Sequence, residues 1–287
     1  MLTADYARKV ATHVQIGEED LNHYNAFIGG VRSPVIPACA PTNFTPGVQC
    51  SNGPVTFWVN GGRSVYNGLL MKLNKRFSNH FQGTASYAFQ SFGPVLAHHN
   101  LNISGIVQLP WGLQLSLNSS IISRTPFEAY VPGGDLTGTG ANPTSSAQSM
   151  LPGITFNCFN AGCGQTELEK AVADFNSTYA GKRFPNNNPI PALVLPSKYN
   201  FGDNVFSQNF RLQKTFKYKE QYQLQLMGEM FNALNIANLS GYGTAIDTRS
   251  ANPATQAFKF GQPTQRSAQT FGQTGPRAVQ VGARISF

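Results

Sequence analysis

Arg277-Ala278-Val279-Gln280-Val281-Gly282-Ala283-Arg284-Ile285-Ser286-Phe287 is the stretch whose reading decides the fold. Val279, Val281, Ala283, Ile285 and Phe287 share one parity, and Gln280, Gly282, Arg284 and Ser286 share the other. Strict period-two alternation marks a strand with one apolar and one polar face. The length suits a tilted strand crossing a bilayer, which takes about 9–11 residues. A soluble edge strand can carry the same pattern, so the rest of the chain has to decide.

The bulk composition narrows the choice. Of the 287 residues only 12% are charged, against roughly 25% in ordinary soluble domains. Yet mean hydropathy is −0.22, so the chain is not greasy. Asn, Gln, Ser, Thr and Gly take the place of charge, which suits a wall with lipid on one side and water on the other. No run approaches the roughly 18 consecutive apolar residues of a membrane helix, which excludes a helical membrane protein. The other fold that spans lipid with every backbone group satisfied is the closed β-barrel. The formal charge of +8 raises nucleic acid as a partner. Lys75, Arg76, Lys214, Lys217 and Lys219 are scattered near turns, however, and read as solvated loop residues. No nucleic-acid partner is expected. Met1 to Lys9 lacks the apolar core of a signal peptide and reads as a strand. The expectation is a soluble protein or a piece of a longer exported one.

Taken in order, the chain offers eight strands. Leu2 to Ile16 is the weakest, with Leu2, Ala4 and Tyr6 on one parity, and a polar, Pro-bearing stretch follows to about Gly61. Ser64–Phe77, Phe81–Ser91, Leu101–Leu109 and Leu113–Ile121 alternate more clearly, as do Val205–Phe216, Tyr222–Met230 and the terminal strand. Apolar residues keep one parity across each hairpin only if the loop holds an odd number of residues. Three-residue loops at Ser78–His80 and Pro110–Gly112 fit, with Gly112 placed where a type I turn with a G1 bulge wants positive φ. Residues 124 to 202 form a long insert rich in Gly, Pro, Asn and Ser. Inside it Thr166-Glu167-Leu168-Glu169 reads as a capping box. Leu168, Val172 and Phe175 then make a helical stripe that should pack on the loop or the barrel rim. A second polar loop runs from about Asn235 to Pro276. Tight connections alternate with mostly long ones, the Gly93–His98 link excepted. Short turns on one rim and long loops on the other is outer-membrane barrel anatomy. The expected class is all-β: an antiparallel transmembrane barrel segment with long extracellular loops and one short loop helix, covering residues 1–287.

Four stretches together resemble a known family. They are Gly62-Arg-Ser-Val-Tyr-Asn-Gly-Leu-Leu-Met-Lys-Leu-Asn-Lys-Arg-Phe-Ser, Asn102-Ile-Ser-Gly-Ile-Val-Gln-Leu-Pro-Trp-Gly, Gly228-Glu-Met-Phe-Asn-Ala-Leu-Asn, and Gly275-Pro-Arg followed by the terminal strand. They resemble the C-terminal β-barrel portion of TonB-dependent receptors and transporters, in the Oar-like, carboxypeptidase-regulatory-like group. The piece Phe231-Asn232-Ala233-Leu234-Asn235 and the terminal strand are the most specific parts. The resemblance implies residence in the cell outer membrane of a Gram-negative bacterium. It also implies that Val279, Val281, Ala283, Ile285 and Phe287 are the signal read by the barrel-assembly machinery. It implies energised uptake of an unknown ligand captured by the extracellular loops. Family members carry a plug, a TonB box and about 22 strands. This chain shows neither of the first two and only eight strands. TonB would therefore be met only through N-terminal parts missing here, and the chain is expected to be a fragment not transport-competent alone.

Other constellations are modest. Cys39 with Cys50, and Cys158 with Cys163, are two local pairs that suit disulfides in extracytoplasmic loops. Zinc is the rival, but no ordered Cys/His framework accompanies them. His98 and His99 lack a third ligand nearby and read as rim residues. Arg211 and Glu229 sit on polar parities, about one diagonal apart, and are expected to form a lumen-side ion pair. No Gly-x-Ser-x-Gly elbow, phosphate loop or His-Glu-x-x-His occurs, so no enzyme, cofactor or metal is expected. Two alternatives stay open: a self-contained eight-stranded outer-membrane barrel with a structural or adhesive role, and a soluble β-rich binding protein.

Overall fold

The computed structural model describes residues 1–20, 56–91, 98–133, 148–155, 157–183, 189–219, 222–248, 258–268 and 274–287. In chain order its elements begin with β1 (Leu2–Asp20), β2 (Thr56–Ser78), β3 (Phe81–Ser91), β4 (His99–Leu109) and β5 (Leu113–Ile122). The first insert holds β6 (Tyr130–Pro132), β7 (Gln148–Met150), α1 (Gln165–Thr178) and β8 (Leu193–Val194). Then come β9 (Val205–Tyr218) and β10 (Tyr222–Phe231). The short β11 (Leu239–Ser240), β12 (Asp247–Thr248) and β13 (Gln265–Arg266) lead to the final β14 (Ala278–Ser286).

Eight strands form one antiparallel meander in the order β1-β2-β3-β4-β5-β9-β10-β14. The sheet is open, because β1 and β14 are its two edges and do not pair with each other. Directly paired residues of antiparallel strands share a face. One row therefore runs Ala4, Met71, Tyr87, Leu101, Ile121, Phe206. A parallel row runs Val107, Leu115, Leu212, Gly228, Val281. The apolar parities of successive strands thus meet on one face of the sheet. The other carries residues such as Thr84, Asn102, Ser120, Gln213 and Gln225.

The turns keep these parities by two routes. The link from β2 to β3 is a two-residue turn, Asn79-His80, not the expected three-residue loop. Both residues have positive φ, 52° and 63°, as a type I′ hairpin requires. The odd residue is absorbed by a bulge between Lys75 and Ser78, where the register shifts. The Lys75 ammonium straps the turn, donating to Ser78 Oγ at 2.6 Å and lying 5.6 Å from the Phe81 ring centre. Pro110–Gly112 is a three-residue loop, since Leu109 pairs with Leu113. Gly112 has the expected positive φ of 70°, but Trp111 is left-handed too, at 62°, so the type I geometry is not adopted.

The buried core lies outside the sheet. It is built from Phe127, Ala129, Val131, Leu151, Phe159, Leu168, Val172, Phe175, Ile190, Phe201, Ile246, Phe260 and their neighbours. Helix α1 contributes Leu168, Ala171, Val172 and Phe175 to it, and Leu168, Val172 and Phe175 are the stripe read from the sequence. The helix begins one turn-fragment earlier than Thr166 would place it, with Gly164 as N-cap. Glycine has no side chain to cap with, so only the returning half of a capping box exists: the Gly164 N–H donates to Glu167 Oε2 at 2.7 Å. That hydrogen bond lowers the Glu167 carboxyl below its ordinary value.

The two inserts are interleaved, not two independent loops. β8 of the first pairs with β12 of the second. The Tyr130 N–H donates to Thr244 O at 2.9 Å, and the Ile246 N–H returns to Tyr130 O at 2.9 Å. At Gly261 (φ 63°) the second insert passes so close to the first that a Cβ would sit 3.0 Å from the Asn200 backbone N and O. Only glycine accommodates both the approach and the left-handed backbone.

Candidate functional site

Where the core-bearing lobe meets the sheet there is a cleft of about 630 Å³. Its floor is the end of β5 and the start of β9, at Ile122, Ser123 and Val205. Arg124, Glu128 and Asn157 come from the first insert, Asp203 from the approach to β9, and Ser240 and Tyr242 from the second insert. The volume lies within the range of small-molecule sites, about 300–1,000 Å³.

The walls are held by asparagines. The side chain of Asn238, buried, pairs with the backbone at the start of β9: Phe206 N–H donates to its Oδ1, and its Nδ2 donates to Phe206 O, each at 2.8 Å. Asn232 is fully buried and ends β10. Its Nδ2 donates to Ile236 O and Gly275 O, both at 2.8 Å, and its Oδ1 accepts from the Ile236 N–H at 3.1 Å. One amide thus ties the exit of β10 to the approach of β14. Asn232, Asn235 and Asn238 all have positive φ, 45°, 54° and 44°, a conformation asparagine tolerates better than most residues. The Phe231–Asn235 piece, quoted above only for its resemblance, therefore has a local structural task.

The electrostatics of the cleft are set by two carboxylates. Asp203 accepts from Asn200 Nδ2 at 3.0 Å. Burial, together with the hydrogen bond to Asp203 and its charge, pushes the Tyr242 hydroxyl up to about 12. Burial also raises the Glu128 carboxyl, whose Oε2 accepts from the Tyr130 hydroxyl. Arg124 is exposed; its backbone N–H is fixed by Asn204 Oδ1 at 2.9 Å. The Asn157 Nδ2 is buried without a protein partner, an unused donor in the lining. The cleft therefore offers acceptors, donors and the aromatic edges of Phe127, Phe201 and Tyr242. Such a set can hold a polar small molecule through several hydrogen bonds. Among the described residues no histidine lines it, so a serine there has no imidazole base beside it among them.

The residues singled out from the sequence fall elsewhere. Cys158 and Cys163 are joined by a disulfide beside Phe159, half-buried at the edge of the lobe's core. Cys39 and Cys50 lie outside the described residues. Arg211 and Glu229 are directly opposite on β9 and β10, not diagonal, with Nε–Oε1 at 2.5 Å. They stand on the polar face, in the same row as Ser116 and Gln280. His99 Nδ1 shares a hydrogen bond of 2.8 Å with the Tyr87 hydroxyl, and His98 Nδ1 lies 3.1 Å from Gln90 O. Among the described residues no three His, Cys, Asp or Glu side chains converge as a metal site would need. Val279, Val281, Ala283 and Ile285 occupy the apolar side of edge strand β14, and Phe287 follows its last residue. Arg124, Glu128, Asp203 and Tyr242 carry no motif, and only the chain's folding brings them together. The chain matches no protein-family model, no curated protein and no solved structure.

Proposed function

We propose that the eight-stranded sheet is part of the wall of an outer-membrane β-barrel receptor of the TonB-dependent kind. The interleaved inserts form its extracellular ligand-capturing lobe. The observation that carries the reading is the apolar face, which nothing among the described residues covers. Val281 is 81% exposed, Ile285 69% and Val279 66%, all on the face that also bears Leu73, Leu212 and Leu226. Each such side chain gains about 1.5–3 kcal/mol on leaving water, so a sheet of this kind requires an apolar medium. Lipid supplies one across the full width of the sheet.

Two further features support the orientation. The tight turns at Asn79-His80, Pro110–Gly112 and after Tyr218 share one rim, and the lobe stands at the other. Exposed Phe81, Trp111, Phe216, Tyr218 and Tyr222 cluster at the tight-turn rim, as an interfacial aromatic girdle does. That rim is then periplasmic. The polar face, with the Arg211–Glu229 pair, lines the lumen, and the cleft beside Asp203 and Tyr242 receives the ligand from outside. In lipid the free edges of β1 and β14 have to be paired, since a sheet that spans a membrane leaves no edge open. Energy transfer from TonB belongs to parts of the receptor other than this sheet.

The test is to express the chain behind an export signal and fractionate the cells. The reading requires recovery with the outer membrane, resistance to alkaline extraction, and heat-modifiable migration in detergent gels. Purification as a soluble monomer without detergent would overturn it and favour the soluble binding protein.

A further inference from the structure

The apolar face of β3, β4, β5, β9, β10 and β14 carries a single Lys, Arg, Asp or Glu side chain, Lys214. It is flanked by Leu113 on β5 and Leu226 on β10. Leu113 is the first residue after the Pro110–Gly112 turn, so Lys214 lies at the tight-turn end of β5. Among the described residues no carboxylate pairs with it; its ammonium lies 4.9 Å from the Phe216 ring centre.

From Lys214 an apolar groove of about 590 Å³ runs away from the turns, between Leu113, Leu212, Leu226 and Val281. Gly228 forms its floor. A Cβ built there meets nothing within 4 Å, so the glycine is required neither by backbone strain nor by crowding. What its missing side chain creates is space on the lipid side. Its register partners Leu212 and Val281 are 45% and 81% exposed and form the groove's banks.

We propose that this groove binds one anionic glycerophospholipid of the surrounding membrane, an inference that rests on the barrel reading above. An acyl chain lies over Gly228, and the phosphate diester meets the Lys214 ammonium at the rim. Charge selects the anionic lipid. A zwitterionic headgroup brings an ammonium of its own, for which the groove has no carboxylate. The cost of a lysine on a lipid face falls to about 0–1 kcal/mol near the interface, and a bound phosphate offsets it.

The experiment uses the full chain purified from membranes and placed in nanodiscs of mixed phosphatidylglycerol and phosphatidylcholine, with retained lipid counted by native mass spectrometry. Wild type should retain one phosphatidylglycerol in preference to phosphatidylcholine. Lys214→Gln should weaken that retention about tenfold, the factor for one lost charge-assisted hydrogen bond, and Lys214→Arg should restore it. Gly228→Leu, whose Cβ meets nothing within 4 Å, puts a side chain into the groove and should expel the lipid although the charge remains. Equal retention by wild type, Lys214→Gln and Gly228→Leu would overturn the proposal. So would equal retention of the two lipids by wild type. A chain that enters the nanodisc but shows no preference refutes the lipid site alone; one that never enters a bilayer refutes the barrel reading as well.

Discussion

In the sheet, Val281 is 81% exposed and Ile285 69%; in the lobe, Phe159 and Leu168 are 0% exposed. Both regions are rich in large apolar residues, but they place them differently. The sheet sets its apolar side chains in regular rows on one side, where nothing among the described residues covers them. The lobe gathers its own from two inserts into a closed cluster, with the Phe159 and Phe201 rings stacked at 4.7 Å between centres. A sheet face repeats every second residue and cannot curl on itself without closing into a barrel, so it must be covered from outside. A lobe of loops has no such constraint, and buries what it can. One region leaves its apolar side chains exposed and the other buries its own.

That contrast can be broken most severely in the lobe. Phe159→Ala removes a fully buried ring and should cost about 3–5 kcal/mol. Protease sensitivity should appear in the lobe while heat-modifiable migration of the sheet persists. Simultaneous loss of both would mean that the regions fold as one unit. In the sheet the decisive comparison is between neighbours. Ile103 stands on the apolar face, opposite Ala85 and Ser119, and Ser104 on the polar face, opposite Thr84 and Asn118. Ile103→Arg should cost about 2–4 kcal/mol in a bilayer, and Ser104→Arg within about 0.5 kcal/mol. Unfolding in lipid vesicles measures both, and equal costs would refute a lipid-facing side.

The lobe also carries a pH signature. The Tyr242 hydroxyl, with an ordinary value of 10.0, titrates at about 12 in the fold. Between these values the unfolded chain has released the proton while the folded lobe retains it, so stability falls as pH rises through that window. Near-ultraviolet circular dichroism should report a steeper alkaline loss of lobe structure in wild type than in Tyr242→Phe; identical profiles would remove Tyr242 as the cause. The smallest effect belongs to the sheet. Arg211 and Glu229 have side chains 47% and 18% exposed, and a partly solvated pair contributes about 0–1 kcal/mol. A double-mutant cycle with Arg211→Gln and Glu229→Gln should find a coupling in that range, and a value well above it would mean the pair is shielded from water.

The eight strands were legible because each carries its own period-two signal, from Leu101–Leu109 to the terminal strand. The helix stripe Leu168, Val172, Phe175 was legible for the analogous reason at helical spacing. The turn at Asn79-His80 is one residue shorter than parity alone predicts, because a bulge between Lys75 and Ser78 preserves parity as well as a longer loop does. The cleft was not legible. Glu128, Asp203 and Tyr242 sit in segments without periodicity, and the Phe127, Phe159, Phe201 and Phe260 cluster draws single residues from distant stretches.

By itself, then, the sequence determined which residues alternate, which faces are apolar, and where the chain must turn, since these depend on neighbours two to four residues apart. Only the tertiary structure decided that the two inserts interlock, that Asn232 and Asn238 pin the second of them to the sheet, and that the terminal strand β14 is an open edge. Those outcomes depend on contacts between segments far apart in the chain, and local periodicity carries no information about which distant partner a segment will meet.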